Sequence, residues 1–164
     1  MDCSSSDIPM PDQEFDVIVA DPPWQYEQSH ARPLPYGTMT PEELKSLPVK
    51  PAKSALLFMW VTGPHIGQAI EVMESWGFSY VTVAFVWKKT AKNGKPVCGM
   101  GFYTRSSCEY VLLGRRGKGV SGWVKDHSVN QLIEATKREH SRKPDEFWDK
   151  LDRLLGPSPS LRKI

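Results

Sequence analysis

At 164 residues, 40% of them apolar, the chain has the length of one domain and enough apolar side chains to bury a core without staples. Its longest apolar run, Ala55 to Val61, falls well short of the roughly 20 residues a membrane helix needs, and the polar start Met1-Asp2-Cys3-Ser4-Ser5-Ser6 lacks the order of a secretory leader. A cytoplasmic address with no membrane partner is therefore expected, and Cys3, Cys98 and Cys108, odd in number and without CxxC pairing, argue against a disulfide framework and a structural zinc site.

Residues 1–14 read as a polar segment, and 15–164 as one α/β domain. Phe15-Asp16-Val17-Ile18-Val19-Ala20 is a β-branched run that predicts a buried strand, opening into the rigid turn Asp21-Pro22-Pro23-Trp24. After a loop over 25–39, Thr40-Pro41-Glu42-Glu43 carries a capping box with proline at the first helical position and predicts a short helix through Leu47. Ala55 to Thr62 is apolar on both faces, as a central parallel strand is. Gly63-Pro64 opens a helix with Ile66, Ala69, Ile70 and Met73 on one stripe and Gly77 as its stop; Tyr80 to Trp87 is the next strand, which completes a βαβ order.

From Lys88 to Thr104 no period survives and a loop is predicted; Cys108 to Leu113 reads as a strand, Gly114 to Gly122 as a basic glycine-rich loop, and Leu132 to Ala135 as a weaker strand. A last helix starts at Pro144, turns Phe147, Trp148, Leu151, Leu154 and Leu155 inward, and closes at Gly156-Pro157.

Charge is distributed unevenly. Residues 1–84 hold 4 basic and 11 acidic side chains, whereas 85–164 hold 17 basic and 8 acidic. Between 86 and 119, Lys88, Lys89, Lys92, Lys95, Arg105, Arg115, Arg116 and Lys118 face Glu109 alone. Such density among glycines and aromatics suggests a loop surface for nucleic-acid phosphates, with Lys89, Lys92, Lys95, Arg115 and Arg116 as contacts; a solvated face is the alternative.

Asp-Pro-Pro-Trp is the most specific feature, because ligands of α/β sheets bind at the carboxyl ends of strands. Asp21 offers a carboxylate acceptor, the Pro22 carbonyl a second acceptor whose direction the proline pair stiffens, and Trp24 an indole face for stacking on a base. The competing reading is a turn in which Asp21 caps a backbone N–H and Trp24 packs in the core.

Asp21-Pro22-Pro23-Trp24, Pro35-Tyr36-Gly37-Thr38-Met39, Leu57-Phe58-Met59-Trp60-Val61-Thr62, Gly101-Phe102-Tyr103-Thr104-Arg105 to Glu109, and Arg138-Glu139-His140-Ser141-Arg142-Lys143-Pro144-Asp145-Glu146 follow one another in an order that resembles the MT-A70 family of adenine-N6 methyltransferases, in its compact bacterial and phage branch. The resemblance implies a Rossmann-like class I methyltransferase fold, three-layered, with S-adenosylmethionine as cofactor and nucleic acid, DNA ahead of RNA, as partner. It makes Asp21, Pro22, Pro23 and Trp24 the catalytic motif, Asp21 and Lys143 cofactor contacts, and Tyr36 and Glu109 acceptor-pocket residues.

Each assignment has a physical counterpart. An ammonium at Lys143, beside a helix N-terminus, suits a methionyl carboxylate, or is a solvated lysine. Tyr36 is a pocket residue or a loop anchor. Glu109 sits in an apolar strand and demands a partner, a ligand or a salt bridge to Arg105. His30, His65, His127 and His140 show no ligand spacing, so no metal is expected, and each reads as structural or exposed, His140 being the one near Lys143. The family pattern continues past Leu161-Arg162-Lys163-Ile164 into a strand and a cofactor-binding stretch, so a C-terminally incomplete sheet is expected, and with it weaker cofactor binding and self-association or a partner. A non-catalytic or partial nucleic-acid-binding subunit completed by a partner is the alternative function.

Overall fold

The structure is a computed structural model that describes residues 13–25, 37–99, 103–139, 142–156 and 161–163. Strands β1 (Phe15–Ala20), β2 (Pro51–Val61), β3 (Ser79–Thr90), β4 (Cys108–Arg116), β5 (Leu132–Thr136) and β6 (Leu161–Lys163) form one sheet in the order β5-β3-β4-β2-β1-β6. Helices α1 (Pro41–Lys45), α2 (Ile66–Ser75) and α3 (Asp145–Leu155) cover it.

Strand alternation builds two cores. On one face Ile18, Ala20, Leu57, Met59 and Val61 pack with Leu44 of α1 and Ala69, Val72 and Met73 of α2. On the other Val17, Val19, Phe58, Trp60, Phe85, Trp87 and Val111 pack with Phe147 and Leu151 of α3. β1 and β2 are buried on both sides, which explains their unbroken apolar runs.

Local signals held closely. Thr40 and Glu43 form the reciprocal capping box at α1, at 2.8 and 3.2 Å. α2 ends at Gly77, φ +83°, where the Phe78 N–H donates to the Met73 carbonyl and the Gly77 N–H to that of Glu74, a Schellman closure. α1 stops at Lys45 rather than Leu47.

Topology departs from the expected simple βαβ unit in one respect. β4 lies between β2 and β3 and runs antiparallel to both, whereas β1 pairs parallel with β2 and with β6, and β3 parallel with β5. Two segments expected as loops are strand at their ends: Lys88, Lys89 and Thr90 belong to β3, and Gly114, Arg115 and Arg116 to β4. Ladder pairing of Lys88–Thr90 to β5 and of Gly114–Arg116 to β2 fixes these residues in extended backbone that periodicity could not detect. Leu161–Lys163, where a further strand was expected to run on, pair with Val17–Val19.

Gly117 turns the chain after β4 with φ +74°, and a Cβ there would press on the Lys53 carbonyl and lie 2.7 Å from Ser54 Oγ. Gly117→Ala should therefore cost at least about 2 kcal/mol, left-handed strain plus a backbone clash. A urea midpoint equal to that of the parent would show that the turn relaxes freely. No helix among the described residues is long and apolar enough to cross a membrane.

Candidate active site

The carboxyl ends of β1, β2 and β3 and the start of antiparallel β4 meet at one edge of the sheet, as do Asp21 after β1 and Lys143 ahead of α3. Asp21, Lys89 and Glu109 stand two residues from Val19, Trp87 and Val111, so alternation places all three on the face that α3 covers.

There they form a chain of ion pairs. Lys143 Nζ is 2.9 Å from Asp21 Oδ1 and 3.3 Å from Glu109 Oε2, and Lys89 Nζ is 2.5 Å from Glu109 Oε1. Side-chain exposures of 14% at Glu109, 16% at Lys143, 20% at Lys89 and 29% at Asp21 make Asp21 the member most open to a ligand. Two indoles form the floor: Lys143 lies over Trp60 and Lys89 over Trp87, each 5.3 Å from the ring centre. Trp60 and Trp87 meet edge to face.

Burial pushes the Glu109 carboxyl up, but the charges of Lys143 and Lys89 and their hydrogen bonds outweigh it and hold the group below the ordinary glutamate value. Burial likewise lowers Lys143, and Asp21 and Glu109 more than compensate, so its ammonium titrates above the ordinary lysine value. Glu109 thus loses its contribution only as pH falls through its depressed value, and Lys143 only as pH rises through its raised one. Both stay charged across the neutral range.

The proline turn carries the chain from one face of the sheet to the other. The Trp24 N–H donates to the Pro22 carbonyl at 2.9 Å, a γ-turn, and the Met39 N–H to the Pro23 carbonyl at 2.9 Å. Trp24 itself is 7% exposed in the α1–α2 core, where its indole Nε1 donates to the Trp60 carbonyl at 3.1 Å and its ring stacks on His65. It is therefore not the open stacking surface its place in the motif suggested. His65 is buried too; its Nε2 donates to the Gln25 carbonyl at 3.1 Å, so in the neutral ring Nδ1 accepts from Thr62 Oγ1 at 2.9 Å.

The partners of Glu109 are Lys89 and Lys143 rather than Arg105. Lys89, expected on phosphate, is engaged in the ion chain. The other expected phosphate contacts separate into two groups. Lys92 and Lys95 are exposed in the turn after β3, on the edge that bears Asp21. Arg115 and Arg116 end β4 at the opposite edge, roughly 20 Å from Glu109 along the strand; the Arg116 guanidinium lies against Gly77. The basic segment is not one surface, because β4 runs the length of the sheet through its middle. Tyr36 and His140 lie outside the described residues. Among the described residues no group of three His, Cys, Asp or Glu side chains could hold a metal.

A mixed α/β sheet with an Asp-Pro-Pro-Trp turn at the carboxyl edge and a half-buried lysine bridging its aspartate to Glu109 defines a candidate group-transfer site. The MT-A70 family profile matches residues 15–164, and the chain belongs to that family. It is 34% identical to the type II methyltransferase M.MunI of Mycoplasma sp, over 94% of this chain and 72% of that one. It is 35% identical to a probable N(6)-adenosine-methyltransferase MT-A70-like protein of Oryza sativa subsp. japonica, over 92% of this chain and 20% of that one. Against the human N(6)-adenosine-methyltransferase catalytic subunit METTL3 the identity is 31%, over 92% of this chain and 25% of that one. The chain thus spans only a fifth to a quarter of these eukaryotic relatives.

Proposed function

We propose that this protein methylates the N6 amine of adenine in nucleic acid, DNA ahead of RNA, using S-adenosylmethionine on a Rossmann-like class I methyltransferase fold. The observation that carries the reading is the Asp21 carboxylate at the carboxyl edge of the sheet, 2.9 Å from Lys143 Nζ and the most exposed member of the ion chain. The preference for DNA rests on the relative named a type II methyltransferase, of which this chain covers the larger share.

The lone pair of an adenine amine is delocalised into the ring, so the site must draw both N–H bonds into an orientation that frees it. Asp21 accepts one of them. The Pro22 carbonyl, its direction set by the γ-turn to Trp24, accepts the other. Glu109 lines the same face, and the likeness to the family assigns Tyr36, outside the described residues, to the acceptor pocket. S-adenosylmethionine, when bound, supplies a methyl group on a cationic sulfur, already electrophilic. The donor set suits that ligand: a half-buried ammonium at Lys143 for its carboxylate, next to an α3 N-terminus without a side-chain cap, and the Asp21 carboxylate for its positive charge. Catalysis is then orientation and electrostatics: the methylated amine is acidic and sheds its extra proton to the Asp21 carboxylate, so no strong base is required.

The test is incubation with methyl-labelled cofactor and separate DNA and RNA substrates, followed by identification of the labelled base; label on any base other than adenine overturns the reading. A second reading, a nucleic-acid-binding subunit completed by a partner, draws on relatives named as subunits; methyl transfer by the purified chain alone would dismiss it.

Lys92 and Lys95 are the phosphate contacts nearest the site. Converting both to Gln should flatten the slope of log affinity against log salt by about 0.9 per contact for duplex, or about 0.7 for single strands. Arg115→Gln with Arg116→Gln should leave that slope unchanged; an equal flattening would extend the nucleic-acid track over the opposite edge.

A further inference from the structure

Lys89 belongs to the basic segment by sequence and to the ion chain by position. Its Nζ is 2.5 Å from Glu109 Oε1 and 5.3 Å from the ring centre of Trp87, the residue that pairs with Glu109 across the β3–β4 ladder. A phosphate that drew Lys89 away would leave a carboxylate only 14% exposed with Lys143 alone, and Lys143 is already shared with Asp21. Removing one partner from so enclosed a set costs more than an exposed ion pair ordinarily returns.

We propose that Lys89 is a positioning residue for methyl transfer: by holding one oxygen of Glu109 it leaves the other to Lys143, and Lys143 in turn sets where the Asp21 carboxylate stands. The chain then acts as a strut from β3 through β4 and the lead into α3 to β1. Two cations balance two carboxylates, so the four side chains of the strut carry no net charge. Among the described residues the groups facing Glu109 are Lys89 from β3 and Lys143 from the α3 lead, with Asp21 of the β1 end reaching it through Lys143. Lys89 also supplies part of what keeps Glu109 ionised against its burial. The role rests on Asp21 as the acceptor of the adenine amine, and one arm of its test does not.

In that arm the Glu109 side-chain carboxyl is followed by carbon-13 NMR as pH is lowered, in the free full chain. Lys89→Met should move its titration to higher pH, and Lys89→Arg should restore it; Lys89→Gln serves if the Met variant does not fold, with the same upward shift expected. An unmoved titration overturns the proposal. In the second arm kcat of Lys89→Met should fall about 10²-fold, the scale of a misplaced reacting group. KM for an oligonucleotide should stay within a few-fold, and the acid limb of the rate profile should shift upward. A raised KM and a flattened salt slope at unchanged kcat would make Lys89 a phosphate contact and overturn the role. A parent protein that methylates no adenine overturns function and role together; parent activity with an unmoved Glu109 titration overturns the role alone.

Discussion

Asp21→Ala is expected to lower turnover by about 10²–10³-fold or more while leaving the fold and most of the cofactor affinity in place. The expectation combines two features of the site. Asp21 is the least buried member of the ion chain, so its loss opens no cavity in the core. Lys143 keeps Glu109 as a partner at 3.3 Å, so no buried ammonium is stranded. What is lost is the most exposed carboxylate of the ion chain, the acceptor proposed for the base. Single-turnover rates with labelled cofactor, alongside calorimetry of cofactor binding, read the two effects separately. Retained turnover in this variant would falsify the assignment of Asp21, and a collapse of cofactor affinity with it would move the residue's main task from the amine to the cofactor.

The parts of this architecture that sequence made legible are those decided within a few residues. Thr40 and Glu43 cap α1 because hydroxyl and carboxylate lie three apart, Gly77 ends α2 because it alone there accepts a positive φ without strain, and α3 shows its Phe147–Leu151 stripe at helical spacing. The acidic residue in an apolar strand also announced that Glu109 needed a partner. Which partner was not legible, since Lys89 and Lys143 lie 20 and 34 positions away and meet it only because β4 returns between β2 and β3.

One signal for the site was present and depends only on parity. Asp21 follows Val19 by two, Lys89 follows Trp87 by two, and Glu109 precedes Val111 by two, so each belongs to the same sheet face as its buried neighbour. Local composition pointed the other way, because a Lys-Gly-rich stretch reads as loop. The same parity separates Trp24 from Asp21: three residues and a γ-turn apart, they fall on opposite faces, and a tetrapeptide that looks like one functional unit is divided between the site and the core.

That division sets the second large effect, at Trp24. Trp24→Ala should cost about 3–5 kcal/mol of stability, the usual range for truncating a buried aromatic, and so lower the melting temperature by roughly 10 °C in a chain of this size. The indole is 7% exposed, its Nε1 hydrogen bond to the Trp60 carbonyl would be lost, and the His65 ring would lose its stacking partner. Turnover should fall as well, because Trp24 anchors the γ-turn that aims the Pro22 carbonyl, and Trp60, which it contacts, forms the floor beneath Lys143. Trp24→Phe separates the contributions: it keeps most of the packing and removes the hydrogen bond, and should retain the greater part of both stability and turnover. A stacking surface for the base would behave differently. Trp24→Ala would then raise KM for the nucleic acid at an unchanged melting temperature, and that pattern would return the indole to the substrate pocket.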